Sequence, residues 1–181
     1  MNEIILVGIV DSAFFAIFIF FLLSKKTKGP FKVSPSNWRI AIIFPLIFTI
    51  LAYVFFRFVL QSPVSSFGPL AKAVFVFCVI VPIAEEFLFR GMILGGISNS
   101  LVEQFAKIKK YENLTYIVGA VLVSLLFAVL HLDKNATEVH FYSRFVLSMI
   151  ASSFYLLDNK NLLPAILAHS TWNFLEIISS L

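Results

Sequence analysis

The chain carries no glycine-rich phosphate loop, no basic patch interleaved with aromatics, no pair of cysteines, no internal repeat and no low-complexity tract. The first two absences remove nucleotide and nucleic-acid partners. The single cysteine, Cys78, cannot close an intramolecular disulfide, and within AVFVFCVIV it reads as a small apolar filler. A basic region ahead of the first apolar run is also missing: the chain begins MNEIILVG and its lysines follow the run, an order unlike that of a cleaved signal peptide, so the first helix is expected to stay. Charge itself is scarce, at 13% of residues, and the net charge of +4 sits mostly in short loops.

In place of charge the chain has apolar bulk. It is 60% hydrophobic with 22 phenylalanines in 181 residues, more than a soluble domain of this size can hide. Lipid is then the solvent. The apolar runs are continuous rather than alternating, which favours helices over a β-barrel. The expectation is an all-α protein, a polytopic transmembrane helical bundle of about six segments near 4–23, 40–60, 69–97, 114–132, 141–157 and 163–180, forming one membrane domain over 1–181. Loop 24–39 holds Lys25, Lys26, Lys28, Lys32 and Arg39, and loop 98–113 holds Lys107, Lys109 and Lys110, whereas loop 61–68 has no basic residue. The first two should face the cytoplasm and both termini the outside. Leu101, Val102, Phe105 and Ile108 recur at helical spacing and suggest a short interfacial helix.

Charges placed inside a bilayer are costly and need a reason. Asp11 and Arg57 read as a structural ion pair, Lys72, Arg144 and His140 as groups reaching the headgroups, and Glu176 as another snorkelling side chain. The stretch PIAEEFLFRG resists that treatment. Glu86 and Arg90 stand four apart and share a helix face, where they can neutralise each other, while Glu85 is turned about 100° away and needs a partner from another helix. Pro82 should kink the helix where the carboxylates begin. Gly91 and Gly95 form a small-xxx-small step that admits a neighbouring helix. In the fourth segment Phe127 and His131 lie one turn apart on one face, and in the sixth His169 and Asn173 do the same. These polar groups in separate membrane helices need one another, and convergence on one polar cavity is the simplest arrangement.

The three elements in this order, EExxxR, FxxxH and HxxxN, resemble the signature of the CPBP intramembrane proteases, the CAAX-protease and bacteriocin-processing or Abi family. The resemblance runs from about Phe75 to the C-terminus, with a catalytic core at about 69–181, and no signature position departs from the pattern. It implies an endopeptidase sunk in the membrane, acting on a membrane-associated peptide or protein, prenylated or otherwise hydrophobic, and by its bacterial members a place in a bacterial cell membrane. It also implies roles: Glu85 and His131 activate water, His169 and Asn173 stabilise the oxyanion, and Glu86, Arg90 and Phe127 support them. The family is commonly classed among metalloproteases, and Glu85, His131 and His169 would make a His₂Glu zinc set with an open position. HExxH is absent, so a metal-independent glutamate mechanism stands beside the zinc one. A different class of function, a non-catalytic membrane scaffold or bacteriocin-immunity factor, would not need Glu85, His131, His169 and Asn173 together. A transporter is disfavoured by the lack of inverted repeats.

Overall fold

The computed structural model describes residues 37–62, 69–104, 111–132 and 137–181. The expected first segment, Asp11 and most of the basic loop 24–39 lie outside the described residues. Among the described residues the chain is helical, without strands. Five helices follow in order: α1 (Arg39–Val59), α2 (70–104), α3 (Glu112–Leu130), α4 (Glu138–Leu157) and α5 (Leu162–Ser179). They fall on five of the six expected segments. Only α1 and α3, with mean hydropathy 2.3 and 2.2, are long and apolar enough to cross a membrane by length and composition.

Local chemistry sets the helix ends. The Thr137 hydroxyl accepts from the His140 amide and caps α4, and the Asn161 carboxamide oxygen accepts from the Leu163 amide and caps α5. Pro164 then sits in the first turn of α5, where its missing N–H costs nothing. The α4–α5 turn is tight because Asn159 and Lys160 both take left-handed backbone, with φ of 55° and 62°. Asparagine tolerates that region, whereas lysine adopts it against its preference.

Pro82 does not break α2. The helix runs through it by widening: Val76–Ile80 forms a π turn in which the Val81 amide bonds to the Val76 carbonyl, and Pro82 then heads an α-helical stretch, Val81–Glu86. A second wide stretch, Phe87–Ile97, carries Arg90, Gly91 and Gly95, all buried. Such widened turns let one helix present residues at angles that a regular α-helix would not. Of the segment expected as a short interfacial helix, Ser98–Gln104 is helical and continuous with α2; Phe105 and Ile108 lie outside the described residues.

The core has two parts. Phe87, Phe89 and Leu94 of α2 meet Tyr116, Ala120, Val123 and Phe127 of α3, with Ala151 and Tyr155 of α4. Tyr53 and Phe56 of α1 meet Leu147 of α4 and Trp172 of α5. Beside the second part, Arg144 Nη2 donates to both carboxylate oxygens of Glu176 at 2.8 and 2.9 Å, and Trp172 Nε1 donates to Glu176 Oε1 at 2.9 Å. Neither Arg144 nor Glu176 therefore snorkels as the sequence suggested: each found a nearer partner across the α4–α5 contact. The helix-approach glycine is Gly119, where an added Cβ would stand 2.9 Å from Leu94 Cδ1 and 3.0 Å from Ser98 Oγ. Gly119→Leu should therefore lower stability by about 1–3 kcal/mol through overpacking, measurable as a reduced melting temperature of the purified protein; an unchanged Tm would contradict this α2–α3 packing.

Candidate active site

The two glutamates of α2 occupy different surroundings. Glu86 is 1% exposed and its Oε1 accepts from Arg90 Nη1 at 3.0 Å, the four-residue pair expected from spacing. Arg90, fully buried, is held further by α4: Nη2 donates to the Ser148 carbonyl at 2.9 Å and to its hydroxyl at 2.6 Å. Its guanidinium also lies 5.2 Å from the centre of the Phe127 ring. Glu85, by contrast, keeps 15% of its side chain accessible. Its Oε2 forms no hydrogen bond, and lies 3.4 Å from His131 Nε2 and 3.9 Å from His169 Nε2.

Three helices thus bring their polar residues to one oxygen. By the expected boundaries His131 stands near the end of the fourth segment and His169 near the start of the sixth; the helices are staggered so that both reach Glu85. His131 closes α3, its amide bonded to the Ala128 carbonyl, while His169 lies in the middle of α5. Phe127 wedges between the imidazoles, stacked on His131 at 4.1 Å and edge-on to His169 at 5.5 Å.

The protons on these rings follow from their partners. His131 Nδ1 lies 2.7 Å from the Phe127 carbonyl, which can only accept, so Nδ1 carries a hydrogen, and Nε2 faces Glu85. His169 Nδ1 lies 2.9 Å from Glu86 Oε1, already the acceptor of Arg90, and its Nε2 likewise faces Glu85. Glu85 Oε2 and the two Nε2 atoms therefore meet around one point, where a proton or a water can be shared among them.

Asn173 is placed less simply. Its Nδ2 donates one hydrogen to the Phe77 carbonyl at 2.7 Å. Pro82, five residues after Phe77, brings no amide to the π turn, so the carboxamide of α5 supplies a donor beside the widened stretch and ties α5 to α2 there. The second Nδ2 hydrogen remains for another acceptor.

Zinc was an alternative for Glu85, His131 and His169. Among the described residues no group of three or more His, Cys, Asp or Glu side chains has an arrangement that could hold a metal ion. No step below runs through one.

Sequence reasoning missed Ser148 and the Phe77 carbonyl as partners of the site. Neither had a signal: a serine in an apolar helix and a main-chain carbonyl carry no motif. The Trp172–Glu176 contact could have been found, since the two stand four apart on α5.

A family model for Rce1-like type II CAAX prenyl endopeptidases matches residues 67–175. The chain belongs to that family. No curated protein and no solved structure matches it. At the family level this Rce1-like protein is a membrane-embedded CAAX-type endopeptidase, and the matched region includes Glu85, Glu86, Arg90, Phe127, His131, His169 and Asn173.

Proposed function

We propose that this Rce1-like protein hydrolyses a peptide bond in a membrane-anchored or hydrophobic peptide with water activated by Glu85. The observation that carries the reading is the Glu85 Oε2 atom, without a hydrogen bond and faced by imidazole nitrogens from two other helices. Glu85 takes a proton from a water at this point, and the hydroxide attacks the scissile carbonyl carbon. The oxyanion that forms meets His169 Nε2–H and the second hydrogen of Asn173 Nδ2. His169 can offer that N–H only when both ring nitrogens are protonated, and Glu86 against Nδ1 supplies the countercharge. As the C–N bond breaks, the proton taken by Glu85 passes to the leaving amine, with His131 sharing it on the way. Donors of this kind are worth about 3–4 kcal/mol each in other hydrolases.

The experiment is turnover of a prenylated or hydrophobic C-terminal peptide by purified protein with and without a chelator. Cleavage that persists in the chelator is the expected result. Activity lost to the chelator and restored by zinc would overturn the metal-free mechanism. No cleavage by the wild-type protein, together with a cellular phenotype left intact by alanine at each of Glu85, His131, His169 and Asn173, would instead favour a scaffold or immunity role for this chain.

A further inference from the structure

A hydrolytic site buried among helices needs a supply of water, and a line of buried hydroxyls leads away from this one. Ser148, which holds Arg90, is followed on the same face of α4 by Ser152 and Tyr155, one turn and two turns on. α3 packs against α4, meeting Tyr155 with Tyr116, Ala120 and Val123, and Ser124 is among its buried residues. Ser124, Ser152 and Tyr155 are each 0% exposed, and the hydroxyls of all three have no hydrogen-bond partner. Tyr155 shares its buried cluster with Tyr116. The Tyr116 hydroxyl in turn bonds to Asn99 and accepts from Lys160 Nζ at 2.5 Å, at the α4–α5 turn.

Apolar packing does not explain three unpaired hydroxyls in a row. Buried polar groups are almost always satisfied, and where protein supplies no partner an ordered water commonly does, provided two or more polar groups converge. The same pattern continues at the upper end, where Arg90 Nε and Glu86 Oε2 are also buried without partners. Unpaired polar atoms therefore extend from the carboxylates of α2 along the α3–α4 seam. Ser148 to Tyr155 alone covers about 10 Å at the helical rise.

We propose that the seam between α3 and α4 holds a chain of buried waters linking the α4–α5 turn to the Glu86–Arg90 pair and so feeding the hydrolytic site. The inference rests on the hydrolase reading above for its purpose, but the waters themselves do not depend on it. Lys160, Tyr116 and Asn99 form the polar mouth, Tyr155, Ser152 and Ser124 the middle, and Ser148 the hand-over to Arg90. Water consumed at Glu85 is replaced along this line, while the lipid-facing surfaces of α1 and α3 stay apolar.

Radiolytic labelling tests it without needing turnover. Hydroxyl radicals generated in place by brief X-ray exposure modify side chains that touch ordered water, and mass spectrometry reads the rate at each tyrosine. Tyr155, although fully buried, should be modified at a rate comparable to that of Tyr111, which is 55% exposed. In Ser152→Val, which removes a water partner and fills its place with methyl groups, modification of Tyr155 should fall about fivefold or more while that of Tyr111 is unchanged. A Tyr155 that stays unmodified in the wild-type protein would overturn the proposal, as would a rate in Ser152→Val equal to wild type. A dry seam in an active protease contradicts only the seam. A wet seam in a protein that cleaves nothing supports the seam and contradicts the hydrolase reading instead.

Discussion

Glu85→Gln should lower kcat by about 10²–10⁴ while leaving yield and melting temperature unchanged, because glutamine keeps the volume but cannot take the proton of the attacking water. Stability is expected to survive because Glu85 Oε2 forms no hydrogen bond that the substitution could break, and the side chain is partly accessible. Paired measurements of turnover and thermal unfolding on the same preparation check this. Wild-type turnover in the variant would remove Glu85 from the chemistry.

Glu86→Gln should behave in the opposite way. It leaves Arg90, fully buried, without its countercharge, and breaking such a pair typically costs about 3–5 kcal/mol. Membrane abundance and melting temperature should both drop. Arg90→Met added to Glu86→Gln removes the stranded charge and should restore much of the stability. It should not restore activity, because His169 Nδ1 would still lack the carboxylate that supports its doubly protonated form. Recovery of stability and activity together in the double variant would show that Glu86 serves Arg90 alone. A yield of the single variant equal to wild type would contradict the buried pair.

These contrasting outcomes come from one dipeptide, and the sequence already separated its halves. A four-residue spacing put Glu86 with Arg90, and the helical period turned Glu85 toward other helices; the geometry of α2 agrees on both counts. Periodicity worked there because both rules are local. It worked equally for the all-helical class, since long apolar runs leave the backbone no other way to satisfy itself in lipid. It failed where the answer lay in another helix. Glu176 read as a snorkelling group because its partner Arg144 is thirty-two residues away on α4, and no spacing rule reaches across a turn. Ser148 was invisible for the same reason. Pro82 was read as a kink, but periodicity carried no sign that α2 widens beside it or that Asn173 of α5 donates to Phe77 there. The stagger that brings His131, at the end of α3, level with His169, in the middle of α5, depends on side-chain packing that hydropathy does not encode.

The most direct test is a comparison of peptide termini in membranes from cells that carry the wild-type protein and cells that carry Glu85→Gln at equal abundance. The account predicts at least one membrane-associated peptide that accumulates uncut with Glu85→Gln, and whose cleaved form, with a new terminus at one defined bond, returns with the wild type. Identical sets of termini in the two membranes would contradict a hydrolytic role for Glu85.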